Sequence, residues 1–242
     1  MMHPPTNSEQ GNVEHTAKMD QKEKAQMKTA LLVFCLFCST ALAQQPPKTM
    51  VKLQVQIQSP DVPADSFAAK PKIIYRAGNQ YCRVEEQPDP SNGIHGLMII
   101  NEPDAWMVNL ATNSAQHVVD PGPSFNCRLP IFSDLAASLP EDERKEILVL
   151  EFGQEYEFFK ARGATPHPGG VQQGQQTTAY ILSFGESKLA LFTYGTPERP
   201  LSVAWVRGEK HEIFWYSGYG RVDFDLKLFS KPEKVRIDEA KQ

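Results

Sequence analysis

Residues 211–219 constrain the fold more than any other stretch of the chain. Successive side chains of a strand point to opposite faces, so Ile213 and Trp215 fall on one side and Phe214 and Tyr216 on the other. Both faces are apolar, and a sheet containing such a strand needs cover on both sides. One cover can be helices, and the other can be the sheet curling on itself around a core or a ligand cavity. The neighbouring sequence supplies further strands at 178–184, 188–194, 201–207 and 221–225. The window 180–229 holds 11 of the chain's 23 aromatic residues, enough to fill such an interior.

The preceding half reads as a meander. Val51, Leu53, Val55 and Ile57 alternate with Lys52, Gln54, Gln56 and Gln58, which predicts a half-buried strand over 51–58. A Gly78-Asn79 turn between 72–76 and 80–86 predicts a hairpin. Strands at 97–100 and 106–110 flank Glu102-Pro103-Asp104, and 116–120 follows, so the run is antiparallel with short turns. Residues 59–71 read as a loop or a short helix. Beyond Asp120-Pro121-Gly122-Pro123 the pattern over 131–159 turns toward helix, with Ser133-Asp134 and Pro140-Glu141-Asp142-Glu143 as start signals. Residues 147–152 have no clean period and could be a strand. The Pro-, Gly- and Gln-rich stretch 164–176 reads as a mobile surface loop, and its glycines lack the Lys-Ser/Thr of a phosphate-binding loop.

The N-terminus sets the compartment. Residues 1–26 contain no aromatic side chain and predict a disordered extension. Met27-Lys28, an apolar run over 30–38 and the small-x-small ending at Ala41-Leu42-Ala43 predict a signal peptide over 27–43, cleaved near Ala43/Gln44. A single domain over 44–242 would then be periplasmic or secreted. Cys35 and Cys38 leave with the signal, so Cys82 and Cys127 remain, either paired in one disulfide or as two buried thiols.

Several function classes are excluded or unsupported. A net charge of −4, from 25 Lys+Arg against 29 Asp+Glu, does not suit a nucleic-acid binder that neutralises phosphates. No unbroken run of 18 apolar residues offers a stable membrane span. His95, His117, His167 and His211 show no metal-ligand spacing, and no G-x-S-x-G or Cys-His pairing marks a nucleophile. Neither a metal, a cofactor nor a catalytic residue is expected.

Three stretches resemble the periplasmic outer-membrane lipoprotein carriers, the LolA/LolB-like superfamily. They are Tyr81 to Glu85 continuing through Leu97-Met98-Ile99-Ile100-Asn101 and Asp104-Ala105-Trp106-Met107-Val108-Asn109-Leu110; the amphipathic middle; and the ending from Arg221 to Asp238, with Phe229 and Pro232. Glu102-Pro103-Asp104-Ala105 and Glu233-Lys234 depart from the family pattern, 164–176 looks inserted, and the two cysteines are additional. The resemblance implies an α+β fold, a curved antiparallel half-barrel sheet covered by a few helices. It also implies non-covalent carriage of a hydrophobic ligand, a lipid or the acyl chains of a lipoprotein. The candidate lining residues are Met98, Ile100, Trp106, Val108, Trp205, Phe214, Trp215 and Tyr219, and Arg83 is a candidate head-group contact. Alternation allows only one set from each strand to face a cavity. In the competing reading, a secreted structural or interaction module, the same aromatics fill a core and the chain meets a protein partner.

Overall fold

The computed structural model describes residues 46–119 and 127–239. The expected disordered extension, signal peptide and cleavage point lie outside the described residues. Among the described residues, twelve strands form one open, curved sheet in the order β12-β6-β5-β4-β3-β2-β1-β11-β10-β9-β8-β7. They are β1 (Thr49–Gln58), β2 (Lys72–Ala77), β3 (Tyr81–Glu86), β4 (Gly96–Asn101), β5 (Asp104–Asn109), β6 (Ser114–Val119), β7 (Pro166–Gln172), β8 (Gln175–Phe184), β9 (Ser187–Tyr194), β10 (Arg199–Arg207), β11 (Lys210–Asp223) and β12 (Arg236–Glu239). Every pairing is antiparallel except β12 on β6. Three short helices, α1 (Ser133–Ala136), α2 (Glu141–Leu148) and α3 (Glu155–Ala161), lie between β6 and β7 in sequence. This is the helix-covered half-barrel that the resemblance implied.

Strand β1 is the hinge of the sheet, with the β2–β6 meander on one side and the β7–β11 run on the other. Its inward residues Val51, Leu53 and Val55 are buried, and its polar partners face out. Register carries this parity across the sheet. One cross-strand row runs Tyr219, Leu53, Ile74, Val84, Met98, Met107, and the next holds Val51, Arg76, Cys82 and Ile100. The helices and their flanks close over this concave face with Cys127, Leu129, Ile131, Phe132, Leu139, Ile147, Leu150 and Phe159, forming the main core with Leu189, Leu191, Val203, Trp205 and Tyr216. Helix α2 is pinned by a polar contact, since buried Glu143 accepts the Ser187 hydroxyl, which in turn accepts from Trp205 Nε1 at 3.0 Å.

The convex face is covered by the C-terminal tail. Phe229, in a 3-10 turn (Leu226–Phe229) capped by Asp225, packs on Met50 and Ala77. Farther along, Val235 and Ile237 pack over Leu97, Ile99, Trp106, Val108 and Ala115. The tail therefore straps β1, β2 and the meander, whereas Ile213 and Trp215 on the convex face of β11 belong to neither of those clusters and stay half-buried.

Three expectations are revised. Residues 164–176 are not a loop: β7 and β8 form a hairpin that turns at Gln173 (φ 49°) and Gly174 (φ 77°). Its prolines fit because β7 is an edge strand, where a missing N–H costs no ladder bond. The separate strands at 211–219 and 221–225 are one 14-residue strand, with a register shift against β1 between Gln54 and Val55 absorbing the bend. Residues 147–152 are not a strand: 147–148 are the last residues of α2, and Glu151 makes an isolated bridge to Pro130.

Candidate ligand-binding cavity

The two halves of the concave face are filled differently. Over β8–β11 the side chains of Leu189, Leu191, Val203 and Trp205 are all 2% exposed or less and leave a solid core. Over β1–β4 the cover stands off and leaves a partly open cavity of about 370 Å³. The sheet wall of this cavity is Val55, Ile57, Ile74, Val84, Met98 and Phe214, and the opposite wall is Leu129, Pro130, Ile131 and Phe152. Phe214 meets both Phe132 and Phe152 edge-to-face at 5.5 Å, so its ring closes one end. An adjoining open trough of about 500 Å³ shares Val84 and Met98 and extends along the sheet past Met107, which is 54% exposed.

The volume is at the lower end of the roughly 300–1,000 Å³ of ligand pockets. A methylene fills about the space of one water molecule, roughly 30 Å³, so the cavity admits on the order of a dozen methylenes. At about 0.8 kcal/mol per buried CH₂, one alkyl chain of that length is a sufficient source of affinity.

Register separates the sequence-predicted lining residues into two sets. Met98 and Phe214 line the cavity. Ile100, Trp205 and Tyr219 share the concave face but pack into the core around it. Trp106 and Val108 are on the convex face, because Ile99 pairs with Trp106 and Leu97 with Val108. Trp215 is convex too, and its Nε1 donates to Gln58 Oε1 at 2.9 Å. Arg83 is also convex: its Nε meets Glu85 at 2.6 Å and its Nη1 donates to Leu228 O at 2.9 Å, so it ties down the tail rather than facing the cavity. The two-residue turn Glu102-Pro103 fixes which of 105–108 faces which of 97–100, and hairpin register follows loop length; that was the signal available in the sequence.

Of the side chains that hold the cover, sequence reasoning named the Cys82–Cys127 pair as one of two alternatives and missed the others. Arg76, 3% exposed, donates to Glu151 Oε2 at 2.6 Å, Phe152 O at 2.9 Å and Cys127 O at 3.2 Å. Arg128 Nε meets the other oxygen of Glu151 at 2.7 Å. Cys82 on β3 and Cys127 at the start of the cover form a disulfide, with Cα atoms 6.3 Å apart, inside the range such bonds require. Glu155, fully buried, accepts from Tyr216 Oη at 2.7 Å, Tyr219 Oη at 3.2 Å and Gly153 N–H at 2.8 Å. Burial pushes its carboxyl above the ordinary range, and burial beside that carboxyl pushes both tyrosines up.

At the cavity wall, burial together with the charges of Asp134 and Asp61 pushes Glu212 up to about 7. Lys70, Lys72 and Arg128 are the other charged groups on the lining besides Asp134. A folded value above the unfolded one means that this group's stabilising contribution is complete below the ordinary carboxylate range, about 4.5, and is lost as pH rises through about 7. Glu212→Gln is accordingly expected to raise Tm relative to the parent at about pH 8 and to leave it unchanged near pH 4. Thermal scans across that interval check this; a difference that does not vary with pH would refute it.

Among the described residues no group of three or more His, Cys, Asp or Glu side chains is placed to hold a metal ion. Among the same residues no helix is long and apolar enough to cross a membrane. No protein-family model matches the chain. No curated protein matches it either. Solved structures do. An uncharacterized conserved protein from Thermus thermophilus is 11% identical with a TM-score of 0.43, over 81% of this chain and 92% of that one. The LolA superfamily protein NE2245 from Nitrosomonas europaea is 12% identical with a TM-score of 0.30, over 77% and 91%. A DUF1329 family protein from Desulfovibrio piger is 9% identical with a TM-score of 0.32, over 77% and 91%. The LolA-like superfamily named from the sequence is thus among the matches, and no ligand or activity carries over from any of them.

Proposed function

We propose that the chain is an exported, non-catalytic carrier that holds a hydrophobic ligand, a lipid or lipoprotein acyl chain, between the concave sheet and its helical cover. The observation that carries this reading is the apolar cavity of about 370 Å³ beneath a cover that is tied down at both the Arg76–Glu151 pair and the Cys82–Cys127 disulfide. A protein whose aromatics only filled a core would close that space, as it does over β8–β11. Export and the domain boundary near residue 44 belong to the same proposal. They rest on the signal-like segment of the sequence and agree with a disulfide that an oxidising compartment would maintain.

Lipid extraction and native mass spectrometry of the purified chain test carriage directly: co-purifying single-chain or acyl species are expected, and a reproducibly empty protein would overturn the proposal. Met98→Trp supplies the site-specific control. Met98 lines the cavity, so a larger ring there is expected to fill it and reduce binding of a fluorescent fatty-acid analogue by about tenfold, equivalent to losing two buried methylenes. Unchanged binding in a folded Met98→Trp chain would place the ligand elsewhere.

A further inference from the structure

An alkyl chain satisfies the apolar walls of the cavity whatever head group it carries, and the charges on the lining discriminate between head groups. The three cations on that lining are each engaged by an acid that lies off it. Lys70 Nζ is 3.4 Å from Asp89, Lys72 Nζ is 3.4 Å from Glu86, and Arg128 Nε is 2.7 Å from Glu151. The two lining acids, Asp134 on α1 and Glu212 on β11, have no ion pair among the described residues. One stands on the cover and one on the sheet, on the lining of the same cavity, and the charge of Asp134 is felt at Glu212. Asp61, in the loop after β1, adds a third negative charge near Glu212.

We infer that the cavity takes a single-chain amphiphile with a cationic head group, an alkylamine or alkylammonium, its chain against Ile57, Ile74 and Phe214 and its charge between Asp134 and Glu212. This rests on the carrier reading and specifies its ligand. An anionic head group would meet two unpaired carboxylates, and the lining cation left least compensated, Arg128, shares Glu151 with Arg76. A cation instead supplies the counter-charge that these two carboxylates lack, and like charges held near one another in a partly desolvated site favour whatever neutralises them. Burial is the first cause of the upward displacement of Glu212 to about 7, and the charges of Asp134 and Asp61 add to it in the direction that a bound cation would reverse.

The test uses three probes of equal chain length below their aggregation concentrations, dodecylamine, monolaurin and laurate, titrated calorimetrically into the purified chain at about pH 8. Dodecylamine is expected to bind about tenfold more tightly than laurate, the effect of one or two partly screened ion pairs. In the isosteric variant Asp134→Asn/Glu212→Gln that preference is expected to collapse to about twofold while monolaurin affinity stays put. Laurate binding as tightly as the amine, or an amine preference that survives in the double variant, would overturn the head-group inference. In either case persistent monolaurin binding leaves the carrier proposal standing. Failure of all three probes to bind would remove both.

Discussion

Replacing Arg76 with leucine is expected to destabilise the chain by about 3–5 kcal/mol, the range for removing one partner of a buried ion pair. The guanidinium is 3% exposed and spends its donors on Glu151 and on the carbonyls of Phe152, Cys127 and Gly78. Those carbonyls lie at the two ends of the cover and in the β2–β3 turn, so one side chain from the sheet holds both ends of the segment that roofs the cavity. Its removal leaves Glu151, 6% exposed, with the outward-lying Arg128 as its remaining charged partner and a long bond of 3.5 Å from Leu129 N–H. The double variant Arg76→Leu/Glu151→Leu is expected to recover much of the loss, because a buried pair replaced by apolar groups of similar size is often near neutral. Denaturant unfolding of the parent, both single variants and the double variant closes the cycle and gives the coupling. A single-variant loss under about 1 kcal/mol would class the pair with surface bridges and refute its anchoring role.

Arg76 also shows where the sequence was readable and where it was not. The alternation of β1, the hairpin at Gly78 and the meander through β6 were legible because each depends on period and turn chemistry within about ten residues. The packing of one face of β11 was legible from Phe214 and Tyr216, whereas the cover expected over Ile213 and Trp215 is not found, both staying half-buried. The identity of the outer cover was not legible, since the tail from Phe224 to Ile237 packs on strands more than a hundred residues earlier, and nothing local announces that. An arginine at the inward position of β2 was a signal in itself: it shares the face of Ile74, so it had to be buried with a partner, but the partner, Glu151, is 75 residues away. The hairpin of β7 and β8 was hidden by its composition. Pro166, Pro168 and Gly170 disqualify a central strand, and only the topology shows that β7 is an edge. Candidate lining residues were chosen by size and aromaticity, which do not encode parity; Trp106 and Trp215 are large and apolar and still face outward, where the tail and Gln58 receive them.

Loss of the Cys82–Cys127 crosslink is the second large effect, about 4 kcal/mol on the chain-entropy account of a loop closed over a separation of 45 residues. The loop contains β4, β5 and β6, so in the unfolded chain the bond restricts the whole distal meander, and in the folded chain it fastens the first residue of the cover to β3. Both sulfurs are buried, Cys82 at 0% and Cys127 at 1% exposure, which predicts that the folded protein resists reduction by mild thiols and loses the bond only when it unfolds. Two routes of removal separate crosslink from packing. Reduction under unfolding conditions keeps the side chains, whereas Cys82→Ala/Cys127→Ala also deletes two buried sulfur atoms next to Ile100 and Arg76. The reduced parent is expected to show the larger part of the loss, the alanine pair somewhat more, and the alanine pair alone should be indifferent to added reductant. Denaturant midpoints with and without reductant measure all three. If reduction costs less than about 1 kcal/mol, the crosslink does not stabilise the cover to the extent the closed loop implies, and the Arg76–Glu151 pair with the apolar contacts of Leu129, Ile131 and Phe132 must hold the cavity roof unaided.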